Sequence, residues 1–335
     1  MSPLSNAKLA HLEKLSTKKG IIAAAAMDQR GSLKKSIAKE KGVDPKEVTP
    51  QMMAEFKTAV TKVLTPYASA VLLDPEFGLE AASRRAANAG LLLAYESTGY
   101  DQTTPGRIPI LIPHWTVSQT VAAGANAVKI LLYYTPFEKA EINKIKHAWV
   151  ERIGAECAFH NIPFFLEFVG YPAGAEDEKG GEFARQKPEI VRKSMEEFSK
   201  DVYQVDVLKV EVPINMKFVK GAKASKGESA YNREEAKNHF RKAASVTNKP
   251  FIYLSAGVSD DEFRESLELA TEAGVAFNGV LCGRATWKEG IPVYAKSGVR
   301  ALEDWLGGRG VKNIQALNAV LERGAQPWKK KVGGG

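Results

Sequence analysis

Cysteine is almost absent from this chain: its 335 residues include two, Cys157 and Cys282. Two widely separated thiols exclude the disulfide framework of a small secreted fold, and reduced thiols in the cytoplasm are the simplest reading. Histidine is nearly as scarce. His11, His114, His147, His160 and His239 never stand two or four residues apart, so a histidine-based divalent metal site has little support and no cofactor is expected. No stretch approaches the ~20 uninterrupted apolar residues of a membrane span. The polar, Lys-rich segment 1–20 has no signal-peptide apolar run. Linkers, low-complexity tracts and close internal repeats are also missing, so nothing divides the chain. One domain over 1–328 is expected, followed by a flexible basic and glycine tail over 329–335. Acidic residues are in the minority, 39 against 47 Lys and Arg, for a formal charge of +8. That surplus favours anionic partners, among them nucleic acid, membrane surfaces and phosphorylated metabolites. No RNA-recognition, zinc-finger or helix-turn-helix pattern accompanies it, so neither nucleic acid nor membrane is the expected partner. Homo-oligomerisation is left open.

What the chain does have is a recurring apolar run. Such runs fall at 21–28, 68–75, 90–97, 127–134, 163–169, 205–213, 250–257 and 277–286, each bounded by polar or glycine residues. Near-continuous apolarity over so few residues suits strands buried on both faces, as in a parallel sheet. The first run, IIAAAAMD, is the weakest strand by composition because it is Ala-rich.

Helical patterns fill the intervening stretches. Over 141–158, Ile142, Ile145, Trp149 and Ile153 follow the three-to-four spacing of one buried face. Thr49-Pro50 has the preferences of a helix start, and Ser259 followed by Glu262 has capping-box spacing. Segments 298–306 and 311–323 read as terminal helices, and the chain from Trp328 onward as a frayed basic tail. Eight strands alternating with helices, with a leading helix before Ile21 and extra helices at the end, point to a (β/α)8 TIM barrel. A doubly wound sheet is the alternative, but it would usually carry a Gly-rich fingerprint after its first strand. Met27-Asp28-Gln29-Arg30-Gly31 stands there instead.

Barrel chemistry sits at the C-terminal ends of strands. Charged residues in or just after the apolar runs are therefore the candidates: Asp28, Asp74, Glu96, Lys129, Glu167, Lys209, Glu211 and Arg284. Eight buried ionisable groups are expensive unless paired or functional. Lys209 lies in VLKVE, and alternation puts it on one strand face with Glu211. It reads either as half of a structural Lys–Glu pair or as a Schiff-base nucleophile, activated by desolvation and a second cation such as Lys129. Glu167, in FFLEFV, is placed to move protons as an acid/base. Ser255-Ala256-Gly257 and Cys282-Gly283-Arg284 end the seventh and eighth strands, where this architecture commonly cradles phosphate. Arg284 would add a bidentate cation. Arg30 and Lys34 fit a second anion site or a solvated helix start equally well. The stretch KFVKGAKASK, 217–226, reads as a solvated loop or a mobile flap over the pocket.

On several of these segments the chain resembles the tagatose 1,6-bisphosphate aldolases, a class I aldolase family, along essentially its whole length. They are MDQRG (27–31), TPYASAVLLDPEFGL (65–79), AGLLLAYESTGYD (89–101), AVKILLYY (127–134), IPFFLEFV (162–169), DVLKVEVPIN (206–215), YLSAGVS (253–259) and FNGVLCGRATW (277–287). The resemblance implies a (β/α)8 barrel with metal-independent Schiff-base chemistry acting on a phosphorylated ketose. It implies that Lys209 forms the imine and Glu167 is the acid/base. It further implies that Asp28, Gln29 and Lys129 position the substrate, and that Ser255, Ala256, Gly257, Gly283 and Arg284 hold a phosphate. The basic balance, the Ala run before Asp28 and Gly170-Tyr171-Pro172-Ala173-Gly174 lie outside the family's motifs. They bear on the substrate, for which a related ketose phosphate such as 6-deoxy-6-sulfofructose 1-phosphate is the alternative. A sugar-phosphate sensor retaining the pocket is the reading from another class.

Overall fold

The computed structural model describes residues 4–174, 177–225 and 227–332. Eight strands close into a barrel in chain order: β1 (Ile22–Ala26), β2 (Ala70–Leu73), β3 (Gly90–Ala94), β4 (Ala127–Tyr133), β5 (Phe164–Val169), β6 (Val207–Glu211), β7 (Phe251–Leu254) and β8 (Gly279–Cys282). Every pairing is parallel, including β1 with β8, so no sheet edge remains among them. The barrel expected from the eight apolar runs is what forms, and the open-sheet alternative is excluded.

Thirteen α-helices, besides short 3-10 turns and one π-helical turn, are formed among the described residues. The leading helix is α1 (Asn6–Lys14). Then come α2 (Gly31–Lys41), α3 (Pro50–Leu64), α4 (Leu79–Ser83), α5 (Val117–Ala122), α6 (Ala140–Phe159), α7 (Gly181–Phe198), α8 (Arg233–Ala244) and α9 (Asp260–Glu272). A short α10 (Arg284–Trp287) follows β8, and α11 (Gly290–Trp305), α12 (Val311–Gly324) and α13 (Lys329–Val332) complete the chain. Thr49 and Ser259 cap α3 and α9, accepting from the Met52 and Glu262 N–H groups, but the Glu262 side chain does not return the bond that would close the capping box.

Alternation along the strands sorts the core into layers. Ile22, Ala24, Ala70, Leu72, Leu92, Ala127, Phe165, Val207, Ile252 and Leu281 fill the interior, while Val128, Leu166, Leu208 and Phe251 pack outward against the helices. One step up from Ala127, Phe165 and Val207 come Lys129, Glu167 and Lys209. The apolar layers thus form a dry platform beneath the charged ones. The Ala-rich β1 qualifies as a strand because its neighbours β2 and β8 supply both ladders, not because of its own propensity.

Two local expectations are corrected, at Ile145 and at Trp328. Ile145 is 52% exposed, and the inner face of α6 runs instead through Asn143, Lys146, Val150, Ile153 and Cys157. Polar residues win that face because each finds a partner: Asn143 donates to the Thr135 carbonyl, and Lys146 to the Tyr133 carbonyl and the Tyr171 hydroxyl. The terminal helix expected at 298–306 is present as the second half of α11, set off from the preceding helical segment by Gly298 (φ 78°) in a conformation natural to glycine. Trp328 does not fray. It is buried against Leu12 and Leu15 beneath the barrel, and its indole donates to Ser16 Oγ at 3.0 Å. Lys329–Val332 then form a helical turn, and the last three residues of the expected tail lie outside the described residues. Residues 217–225 form a largely solvated loop, one of the two expected readings, tied down where Val219 and Ala222 are buried and the Lys220 N–H donates to the Tyr231 carbonyl. Lys226 lies outside the described residues.

Candidate active site

A cavity of about 660 Å³ opens at the C-terminal ends of the strands. Its walls include Asp28, Gln29, Glu96, Tyr133, Glu167, Lys209, Ser255, Ala256, Gly257, Gly283 and Arg284. The fold therefore brings together residues from seven of the eight strand ends. Lys129 lies directly against this set, fully buried, and touches it through three carboxylates.

Glu167 and Lys209 are register partners on β5 and β6, and their side chains meet with Lys209 Nζ 2.9 Å from Glu167 Oε2. Lys129 Nζ approaches the same oxygen at 2.8 Å. It also lies 2.8 Å from Asp28 Oδ2 and 2.9 Å from Glu96 Oε1. Burial by itself would lower the Lys129 pKa, but Asp28, Glu167 and Glu96 hold its ammonium well above the ordinary lysine range. Lys129 is thus a fixed cation. Burial pushes Asp28 upward, yet Lys129, Lys209 and Lys57 overcome it and hold the carboxyl well below the usual range. Burial wins at Glu96, which titrates higher than an ordinary carboxylate despite Lys129 and Arg30. Gln29 Nε2 donates to Asp28 Oδ1 at 3.2 Å and completes this wall.

The β7 and β8 ends form the opposite wall. Ala256 (φ 48°) and Gly257 (φ 79°) both take left-handed backbone, which turns the chain sharply over the barrel mouth. A side chain at Gly257 would stand 3.0 Å from the Arg284 guanidinium carbon, and one at Gly283 would stand 2.9 Å from the Ala26 carbonyl. Glycine is needed at both for backbone and guanidinium to approach closely. Lys288 Nζ fixes the turn by donating to the Gly257 carbonyl at 3.0 Å. Peptide N–H groups, Ser255 and Arg284 here offer donors suited to an anion. Cys282 lies behind them, and burial pushes its thiol up to about 12, which disfavours the thiolate.

Of the other sequence candidates, Arg30 alone stands in the cavity wall. Glu211 does not face Lys209: it takes an ion pair from Lys187 of α7 at 3.0 Å and the Gly170 N–H at 2.7 Å. Asp74 is spent on Lys57 at 2.6 Å, both fully buried. Arg30 is held by Glu76 at 2.7 Å and the Glu96 carbonyl at 2.7 Å, and Lys34 is not in the wall. Lys35 is there instead, with Ser32, both on the first turns of α2. None of the described residues of 217–225 lines the cavity. Sequence reasoning missed Lys57. Its signal was available, since it falls on the buried stripe Met53, Phe56, Val60 and Leu64 of α3.

Among the described residues no group of three or more His, Cys, Asp or Glu side chains gathers as a metal ligand set, and no helix is long and apolar enough to cross a membrane. A model of the DeoC/LacD family aldolases matches residues 22–289. Tagatose 1,6-diphosphate aldolase 2 of Enterococcus faecalis is 52% identical over 332 residues, covering 99% of this chain and 98% of that protein. Tagatose 1,6-diphosphate aldolases of Listeria monocytogenes and Staphylococcus epidermidis are 49% and 48% identical, each covering at least 97% of both chains. A solved fructose-bisphosphate aldolase from Plasmodium falciparum superposes with a TM-score of 0.66 over 97% of this chain and 98% of that one, at 12% identity. A Schiff-base-forming fructose-1,6-bisphosphate aldolase superposes with a TM-score of 0.53 over 89% of this chain and 98% of that one, at 13% identity. These two likenesses bear on the fold. Taken with the barrel and its charged mouth, the matches establish that the chain is a lyase and belongs to the DeoC/LacD aldolase family.

Proposed function

We propose that the chain reversibly cleaves D-tagatose 1,6-bisphosphate to dihydroxyacetone phosphate and D-glyceraldehyde 3-phosphate through a Schiff base on Lys209. The observation that carries this reading is the buried Lys209 amine, 2.9 Å from Glu167 Oε2 in a cavity that also presents the Gly257–Gly283–Arg284 wall. A buried amine next to a carboxylate and a fixed second cation is the arrangement that imine formation asks for. The relatives named for tagatose 1,6-diphosphate support the substrate.

Lys209 Nζ adds to the C2 ketone and water leaves, giving a protonated imine. Glu167 takes the C4 hydroxyl proton. The C3–C4 bonding electrons then flow into the imine, releasing the aldehyde and leaving an enamine. Protonation at C3 and addition of water free dihydroxyacetone phosphate and restore the amine. Lys129 keeps its charge throughout, so Glu167 retains a cationic partner when Lys209 gives up its own proton. Asp28 and Gln29 orient hydroxyls from the neighbouring wall. One phosphate is taken by Ser255, Ala256, Gly257, Gly283 and Arg284. The second is taken across the cavity by Ser32 and Lys35, where α2 begins with no acidic residue in its first turn.

Borohydride added with substrate should inactivate the enzyme and add a reduced triose to Lys209, read by peptide mass spectrometry. Cleavage rates on tagatose, fructose and 6-deoxy-6-sulfofructose phosphates assign the substrate, with tagatose 1,6-bisphosphate expected to be fastest. Turnover without a trapped adduct would overturn the covalent mechanism. Binding without turnover on any of them would leave a sensor instead.

A further inference from the structure

Lys57 does not line the cavity, yet it is bound to the loop that does. It sits on α3, fully buried, and its ammonium meets three oxygens, one in an ion pair and two in hydrogen bonds. One is Asp74 Oδ2 at 2.6 Å. The others are the Met27 carbonyl and the Gln29 carbonyl, the latter at 2.8 Å. Those two carbonyls flank Asp28. The β1 strand has ended at Ala26, so this loop has no continuous ladder to hold it, and a buried carbonyl without a donor is costly. Asp74 is itself fixed, accepting from the Glu76 and Phe77 N–H groups at 3.1 and 2.9 Å.

We propose that Lys57 is a positioning residue for the aldol reaction: its ammonium clamps the peptide on either side of Asp28 and so holds that carboxylate against Lys129. A buried ion pair is not by itself a source of stability, because apolar residues of similar volume commonly serve as well. The partners chosen here explain the pair better, since two of the three acceptors belong to the loop that carries a site residue. Lys57 touches no substrate. This inference rests on the reading in which Asp28 orients the ketose.

The test is a cycle. Lys57→Met paired with Asp74→Asn removes both buried charges while keeping the oxygen that accepts from Glu76 and Phe77. In the otherwise unmutated enzyme this double variant should lower kcat roughly 10–100-fold with KM little moved, and borohydride should still trap the triose on Lys209. In an Asp28→Asn background the same pair should cost less than about threefold, because the carboxylate it positions is gone. A strut of the barrel would cost the same in both backgrounds. Equal losses, no loss, or failure of the double variant to fold would each overturn the assignment. Trapping is measured first on the unmutated enzyme: absence of an adduct there overturns the Schiff-base reading and this role with it, whereas an adduct with equal losses sinks the clamp alone.

Discussion

Lys209 and Glu167 are paired twice, once through the backbone register of β5 and β6 and once through their side chains at 2.9 Å. The ladder therefore sets the distance between amine and carboxylate, and no loop movement is needed to assemble them. Sites built on strands hold such geometry more tightly than sites on loops.

Removing either member should separate covalent from proton-transfer chemistry. Lys209→Met should abolish the borohydride adduct and lower cleavage by at least roughly 10³-fold. Glu167→Gln should still yield an adduct with turnover down about 10²–10⁴-fold. Full cleavage activity in Lys209→Met would contradict the covalent mechanism.

The two phosphate assignments can be told apart by kinetics. Arg284→Ala and Lys35→Ser should each raise KM for the bisphosphate about tenfold or more, the scale of a lost charge-assisted hydrogen bond. With the two ketose monophosphates, each variant should lose its effect on one and keep it on the other. Equal sensitivity of both variants to both monophosphates would refute the division.

Gly257→Ala probes the turn itself. A methyl group there would enforce strain at φ 79° and press on the Arg284 guanidinium. Phosphate affinity should fall about as far as in Arg284→Ala, with thermal stability little altered. A variant that binds substrate normally would show that the close approach is incidental.

Lys146 offers a pH test away from the chemistry. Burial pushes it down to about 8, with Glu138 opposing and Arg107 assisting, while its ammonium faces the Tyr133 carbonyl and the Tyr171 hydroxyl. Above about 8 and below the ordinary lysine value, the unfolded chain holds a proton that the folded chain has shed. Stability from this group therefore rises with pH across that window, and the cost of burying the charge is fully present below it. Urea unfolding of Lys146→Met should lack that rise relative to the unmutated protein. Parallel pH profiles would disprove the shift.

The legible parts of the molecule were those written in short-range pattern. Eight apolar runs announced eight strands because burial on both faces leaves no room for polar alternation. Lys129, Glu167 and Lys209 stood out because a charge inside such a run has no cheap explanation. What pattern could not supply was partner choice. Glu211 shares the expected strand face with Lys209, but Lys187 of α7 and the Gly170 N–H claim it. Arg30 resembles an anion ligand until Glu76 and Glu96 are seen beside it. Ile145 lost its place on the inner face of α6 to a lysine, and only the carbonyl and hydroxyl facing Lys146 make that exchange intelligible.

Trp328 also gives the floor of the barrel a schedule. β8 must leave the ribosome before the ladder with β1 can close, and Trp328 emerges later still to meet Ser16, Leu12 and Leu15 near the opposite end of the chain. Helix α1 thus waits for a side chain made after all eight strands. A nascent chain halted between β8 and Trp328 would hold a closed ring with an open underside, exposing to chaperones an apolar surface that the finished enzyme hides.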